Sequence, residues 1–276
     1  MTYEEKLEGF PTVHYPSLIE FPERREFMTS QFEKYGIKKT KLLLTDRYEK
    51  IKHQYTLIDQ EDLITHGHPG NIISYITLLK DWYDNSDEEY AIFCDDDMDF
   101  MSIDYWSFTW KEFISSLPKD WECIQLVRIQ EWLKGHMMIY GQRQTPSLTI
   151  REQEWCDYGT ALLVKKSYAK KILDRHYINN NTIETTVRGR PGEVRFFWPL
   201  IENVLFKNLG KVYNFPLFIE KCAFESFLKK QIGGKISDQT WNAKRYPHTR
   251  SREIYENMWK NYGLLSNLTE IMRLKN

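Results

Sequence analysis

The sequence has no long apolar run and almost no excess of charge. None of its 276 residues belongs to an uninterrupted apolar segment of about 18 residues, the length of a membrane-spanning helix. The formal net charge is −1, which provides no basic surface for nucleic acid or an anionic membrane. Residues 1–9 are charged and lack the apolar stretch of a signal peptide. We therefore expect a cytoplasmic protein with no transmembrane segment and no nucleic-acid partner.

Cysteine is also scarce, and its spacing excludes a common type of metal site. The four cysteines are Cys94, Cys123, Cys156 and Cys222, and no two of them form a Cys-x-x-Cys pair. A structural zinc site needs closely spaced ligand pairs, so these residues do not indicate one. Scattered cysteines in apolar surroundings are typical of reduced thiols, which again favours the cytoplasm.

Several widespread catalytic motifs are missing. The sequence contains no G-x-x-x-x-G-K-[ST], G-x-G-x-x-G, G-x-S-x-G or H-E-x-x-H. Their absence argues against P-loop enzymes, dinucleotide dehydrogenases, serine hydrolases of the nucleophile-elbow type and zincins. A protein that handles a diphosphate without a glycine-rich loop can use a bound metal ion to neutralise it instead.

What the sequence does contain is an apolar run that leads directly into carboxylates. Residues 90–94 are Tyr-Ala-Ile-Phe-Cys, which predicts a buried strand, and Asp95, Asp96 and Asp97 follow at once. Adjacent carboxylates repel one another, so partial burial favours a cation, and oxygen ligands suit Mg²⁺ or Mn²⁺. A solvated acidic turn is the alternative. A calcium loop of the EF-hand type is excluded, because Phe100 and Trp106 stand where glycine and glutamate are required.

Strand-like and helix-like segments alternate along the chain, which predicts an α/β fold. A strand near residues 12–16 precedes a helix that opens at Pro22 and ends at Gly36, and a second strand covers 41–46. Residues 69–84 have the clearest helical periodicity. We expect helices also at 100–113 and 197–209, a polar loop at 178–192 and a late strand at 211–219. We predict a single domain, in which residues 1–230 form the catalytic part and residues 231–276 add a lid loop and a helix.

Four segments resemble a known enzyme family. Residues 92–97 look like the strand and DxD signature of GT-A glycosyltransferases. Residues 23–28, 158–164 and 213–217 resemble elements of the lipooligosaccharide and collagen galactosyltransferase group, in the same order along the chain. The resemblance implies the nucleotide-diphospho-sugar transferase fold, a mostly parallel twisted sheet flanked by helices. It also implies metal-dependent transfer of a hexose from a nucleotide sugar, most often UDP-linked, to a glycan, lipid-linked or protein acceptor.

The same resemblance suggests which residues hold the metal and the donor. Asp97 best fits the metal position, with Asp95 as a second ligand or a ribose contact and Asp96 directed towards the ribose or the sugar. His248 is the candidate for a metal ligand from a C-terminal loop, although it is equally well explained as a solvated histidine. The expected ion is Mn²⁺ or Mg²⁺, because it stabilises the departing diphosphate.

Further candidates for the nucleotide sugar are Tyr15, Arg24, Asp46 and Arg250. Structural roles compete for three of them: Arg24 on a helix surface, Asp46 at the end of a strand and Arg250 as an exposed loop cation. Three tryptophans are candidates for stacking on a sugar, but such residues at helical spacing more often belong to a core: Trp106, Trp110 and Trp132.

The resemblance implies inversion at the anomeric carbon, which requires a general base on a separate segment. The two candidates are Glu193, at the exit of a glycine-rich loop, and Asp157, at the start of a strand. Two other functions remain open. One is a metal-dependent phosphohydrolase, which also needs clustered carboxylates. The other is a non-catalytic carbohydrate-binding protein with the nucleotide-diphospho-sugar transferase fold.

Overall fold

The structure is a computed structural model that describes residues 1–58, 68–127, 149–150, 161–188, 196–197, 201–206, 209–220 and 259–260. Helices and strands alternate around a central sheet, so the predicted α/β class is confirmed. The helices are α1 (Tyr3–Lys6), α2 (Pro22–Tyr35), α3 (Tyr48–Ile51), α4 (His68–Asn85), α5 (Trp110–Ser116), α6 (Lys166–His176) and α7 (Ile201–Phe206), with 3₁₀ turns at Lys52–Gln54 and Met101–Tyr105.

The strands form one large sheet and two small ones. The strands are β1 (Val13–Leu18), β2 (Thr40–Thr45), β3 (Thr56–Ile58), β4 (Tyr90–Cys94), β5 (Met98–Asp99), β6 (Cys123–Val127), β7 (Thr149–Ile150), β8 (Ala161–Lys165), β9 (Tyr177–Asn179), β10 (Thr182–Glu184), β11 (Val187–Arg188), β12 (Phe196–Phe197) and β13 (Val212–Glu220). The large sheet has the order β2-β1-β4-β8-β6-β13-β5, with β7 beside β13. It is mixed: β1, β2, β4, β6 and β13 run in one direction, and β5, β7 and β8 run in the other.

The first half of the sheet is a parallel β1–α2–β2 unit whose limits follow from local sequence. Pro22 occupies the first turn of α2, where its missing N–H costs nothing. Gly36 ends the helix with φ 73°, a left-handed conformation that favours glycine. β1 and β2 then pair in parallel from Val13 opposite Thr40 to Leu18 opposite Thr45.

β4 pairs in parallel with β1 on one side and antiparallel with β8 on the other. Val13 lies opposite Ile92, so the carboxyl ends of β1 and β4 meet at the same edge of the sheet. β8 separates β4 from β6, which precedes it in the chain, and pairs antiparallel with both. The carboxyl end of β4 therefore lies inside the sheet, next to the turn that leads from β1 into α2.

Each face of the sheet carries a separate core. One face packs against α2 and a dense set of aromatic side chains, and the other packs against α4, α6 and α7. Trp106 and Trp110 are buried in the first core and lie within 6.4 Å of each other, measured between ring centroids. They are therefore core residues rather than a sugar platform, whereas Trp132 lies outside the described ranges. Trp259, a described residue of the C-terminal extension, packs against Phe108 and Phe215 in the same core.

Three sequence predictions on local structure are wrong in part. Residues 100–113 are not one helix, because Thr109 starts a new helix through a capping box with Glu112. Residues 177–188 are not a plain loop but contain β9, β10 and β11. β10 pairs with β3, which lies far away in the chain. The residues around β10 therefore do not reveal this pairing. The predicted helix at 197–209 is shorter, since β12 ends at Phe197 and α7 begins at Ile201. None of the helices in the described segments is long and apolar enough to cross a membrane.

Two buried histidines predict that the fold weakens in mild acid. His14 of β1 is 5% exposed and stacks on Phe93 at 4.9 Å, and His176 of α6 is fully buried. Burial lowers the pKa of each from 6.5 to about 4. The unfolded chain therefore binds more protons than the folded chain below pH 6.5, and stability is lost as the pH falls towards 4. We expect a loss of about 2 kcal/mol per histidine between pH 7 and pH 5.

Urea denaturation of the wild type and of His14→Phe at both pH values measures this effect. The variant should show the smaller difference between the two pH values, because it lacks one of the titrating groups. His53→Asn is the matched control, since His53 is exposed in the structure. Equal pH dependence in the wild type and in His14→Phe would rule out His14 as a cause.

Candidate functional site

The three aspartates lie at the carboxyl end of β4, where the sequence predicts them. The apolar residues 91–94 are buried on both faces of the sheet, and the strand ends at Cys94. Asp95 and Asp97 are partly exposed, and Asp96 is buried. Because β1 ends at the same edge, the loop from β1 into α2 borders this acidic cluster of residues 95–97.

Arg24, in the first turn of α2, forms ion pairs with two of the aspartates. Its Nη1 lies 2.7 Å from Asp96 Oδ1 and 3.3 Å from Asp97 Oδ2. The side chains of the three residues are 13%, 10% and 20% exposed, respectively. Burial by itself lowers the pKa of Arg24, but Asp97 and Asp96 outweigh it and raise that pKa above its ordinary value. Among the sequence candidates for nucleotide binding, Arg24 is the one that the structure brings into contact with the acidic cluster.

The surroundings of Asp97 make the ionised form of its carboxylate unfavourable. Burial is the largest influence and raises its pKa, the charge of Asp96 raises it further, and Arg24 opposes both. The net result is a pKa above the ordinary value for an aspartate. The guanidinium of Arg24 thus does not bring the pKa of Asp97 back to its ordinary value, and a bound cation would favour the ionised carboxylate.

Tyr75 is a contact of the site that sequence reasoning missed. It is fully buried in α4, and its hydroxyl donates a hydrogen bond of 2.8 Å to Asp95 Oδ1. One signal was present in the sequence, because a tyrosine on the apolar face of a helix usually needs a partner for its hydroxyl. The identity of that partner depends on how α4 packs beside β4, which the sequence does not reveal.

Arg25, the neighbour of Arg24, shapes the loop instead of entering the acidic cluster. Its Nη1 donates to the carbonyl oxygen of Leu18 at 2.6 Å, and its Nη2 donates to that of Ile19 at 3.0 Å. These bonds hold the end of β1 against the first turn of α2. They therefore help to fix the position from which Arg24 reaches the aspartates.

Two further residues of β1 lie near the cluster. Tyr15 is 4% exposed and packs against Phe32, and its pKa is raised first by burial and then by Cys94 and Asp96. Ser17 is 2% exposed, and its Oγ has no hydrogen-bond partner within the described part of the chain. Side chains alternate along a strand, so Ser17 shares with Tyr15 the face that packs against α2. A buried hydroxyl without a partner is costly, which suggests that this position serves a ligand.

The residues fit a divalent cation that binds together with a phosphate group. No three His, Cys, Asp or Glu side chains form a ready-made metal site in the ranges that the structure describes. Mg²⁺ rarely uses such a cage, however, and usually binds one or two carboxylates plus substrate phosphates. Asp95 and Asp97 supply partly exposed oxygen donors of this kind at the edge of the sheet.

The remaining predicted residues are distributed as follows. Asp46 follows β2 at the same edge, where its Oδ1 lies 2.9 Å from Nζ of Lys50 in a surface ion pair. Outside the predicted set, Asp99 of β5 is 3% exposed and accepts a hydrogen bond of 2.9 Å from the backbone N–H of Met101, which indicates a structural role. Four predicted residues lie outside the described ranges, and their roles stay predictions: Asp157, Glu193, His248 and Arg250.

Comparison with known proteins leaves the family open. No protein-family model matches the chain, and no curated protein is significantly similar to it. The function is therefore inferred from the residues of the site itself.

Proposed function

We propose that the protein is a metal-dependent glycosyltransferase. It moves a hexose from a nucleotide-diphosphate sugar, UDP-linked in the simplest case, to a hydroxyl group of a glycan, lipid-linked or protein acceptor. It inverts the anomeric configuration. The observation that carries the proposal is the acidic cluster at the carboxyl end of β4, which pairs with the cationic Arg24. Near the carboxyl end of the neighbouring β1, the buried hydroxyl of Ser17 has no partner among the described residues.

The location of the cluster supports this function. In open α/β sheets, ligands bind beyond the carboxyl ends of the strands, where loops of neighbouring strands face each other. Here the ends of β1 and β4 lie at the same edge of the sheet; β4 is followed by three aspartates, and the segment after β1 leads to Arg24. A nucleoside diphosphate at this edge meets carboxylates for its metal ion and a guanidinium for its phosphates.

Each residue at the edge has a defined task in this proposal. Asp97 and Asp95 would hold Mn²⁺ or Mg²⁺, which supplies charge stabilisation for the leaving diphosphate. Tyr75 orients Asp95 through its hydrogen bond. Asp96 anchors Arg24, and Arg24 contributes positive charge to the diphosphate side of the site. Glu193 is the first candidate for the general base and Asp157 the second.

Isothermal titration calorimetry with UDP tests the proposal directly. UDP should bind with Mn²⁺ present and bind much more weakly in EDTA. A thermal-shift screen of nucleotide sugars with Mn²⁺ then identifies the donor, because ligands of the folded state raise the unfolding midpoint. Equal UDP affinity with and without metal would exclude this function. Release of inorganic phosphate from the nucleotide would identify a phosphohydrolase instead.

A further inference from the structure

The guanidinium of Arg24 lies against two carboxylates of the acidic cluster, those of Asp96 and Asp97. One atom, Nη1, approaches an oxygen of Asp96 and an oxygen of Asp97 at the same time. The two contacts are unequal, at 2.7 Å and 3.3 Å. Asp96 is thus the close partner of Arg24, and Asp97 is held at a longer distance.

The position of Arg24 allows it to leave Asp97 without disturbing the fold. It lies in the first turn of α2, and its side chain extends towards the sheet edge, where Asp97 is 20% exposed. Asp97 is the more exposed of the two aspartates and its contact with Arg24 is the longer one, so this contact is the weaker of the two. The shorter contact with the more buried Asp96 keeps the side chain nearby.

A cation on Asp97 and the guanidinium of Arg24 oppose each other. Both would use an oxygen of Asp97, and like charges a few ångströms apart repel in a partly buried site. A bound diphosphate removes this competition, because its oxygens can bind a metal ion and a guanidinium at the same time. The buried hydroxyl of Ser17, which lacks a partner in the described ranges, independently marks this edge as a place for such a ligand.

We propose that Arg24 is an exchangeable counter-ion, held by Asp96, that competes with the divalent cation for Asp97 until a diphosphate binds. The inference depends on the metal site of the proposed function. It adds a form of regulation: Arg24 lowers the affinity for the metal ion when no nucleotide is bound, and a bound nucleotide relieves this effect. Metal and nucleotide binding are then positively coupled, and coupling between two sites is reciprocal.

The test measures Mn²⁺ alone and UDP with saturating Mn²⁺ by calorimetry, for the wild type and for Arg24→Met. Methionine keeps much of the apolar stem and removes the charge. We expect Arg24→Met to bind Mn²⁺ alone at least about fivefold tighter and UDP with Mn²⁺ at least about fivefold more weakly, the low end of typical coupling. Arg47→Met is the matched control, since Arg47 pairs with Glu20 on the surface, and it should change neither affinity.

The outcomes separate this inference from the proposed function. Unchanged or weaker Mn²⁺ binding in Arg24→Met, with metal-dependent UDP binding intact in the wild type, overturns the inference alone. Metal-independent UDP binding in the wild type overturns the proposed function. If Arg24→Met fails to fold, Arg24→Gln provides the answer. Glutamine also removes the charge but keeps a polar end, so Mn²⁺ alone should again bind more tightly than in the wild type, and no gain overturns the inference.

Discussion

Asp97→Asn is expected to abolish the metal-dependent part of UDP binding, a loss of about a hundredfold or more in affinity, since a metal contact to phosphate contributes several kcal/mol. Asparagine keeps the shape of the side chain but removes the charge that holds the cation. The fold should survive, because Arg24 keeps its 2.7 Å contact with Asp96. Since burial raises the pKa of Asp97, the ionised carboxylate destabilises the metal-free protein, and its removal should leave the free energy of unfolding unchanged or higher.

Calorimetry with UDP, in Mn²⁺ and in EDTA, measures the effect of Asp97→Asn. Asp174→Asn is the matched control, because Asp174 pairs with Lys170 on the surface of α6, and it should leave UDP affinity unchanged. Asp46→Asn is a separate test, in which a loss of UDP affinity would support the predicted nucleotide contact of Asp46. If Asp97→Asn retains the full Mn²⁺-dependent affinity, the aspartate is not a metal ligand and the acidic cluster has a structural purpose.

Glu193→Gln is expected to reduce sugar transfer by about a hundredfold or more while leaving UDP and Mn²⁺ affinity intact, the usual size of a general-base contribution. Direct displacement at the anomeric carbon needs a carboxylate that accepts the proton of the acceptor hydroxyl. That carboxylate belongs on the opposite side of the sugar from the diphosphate, so it comes from a segment other than the β4 end. Glutamine preserves the size of the side chain and cannot accept the proton.

Transfer assays with the donor found by the thermal-shift screen measure the activity of Glu193→Gln, and Asp157→Asn serves as the comparison. If Asp157→Asn shows the larger loss, the base assignment moves to Asp157. A product that retains the anomeric configuration of the donor would refute the proposed inversion, whichever residue is essential.

Local signals in the sequence were sufficient for the elements that carry the site. The apolar residues before Asp95 predict β4, and Pro22 and Gly36 predict both ends of α2, as observed. The periodicity of residues 69–84 predicts α4 to within one residue at each end. In each case the information lies in neighbouring residues, through burial, helix capping or left-handed glycine geometry.

The contacts between side chains of the site could not be predicted from neighbouring residues in this way. Arg24 and Asp96 are 72 positions apart, and Tyr75 and Asp95 are 20 apart, so each contact depends on how a helix packs against the sheet. The sequence did indicate Arg24 as a candidate, but with a nucleotide rather than the aspartates as its partner. Tyr75 was visible only as one more residue on the apolar face of α4.

The place of β8 in the large sheet also has a consequence for how the protein is made. A ribosome synthesises β4 and β6 well before residues 161–165, yet β8 lies between those two strands in the finished sheet. Until then β6 has neither of its main neighbours, since β13 comes later still. The nascent chain therefore carries an apolar strand with two bare edges until β8 is made, and with one bare edge until β13 is made. We expect its folding to be largely post-translational and its unfinished forms to depend on chaperones to avoid aggregation.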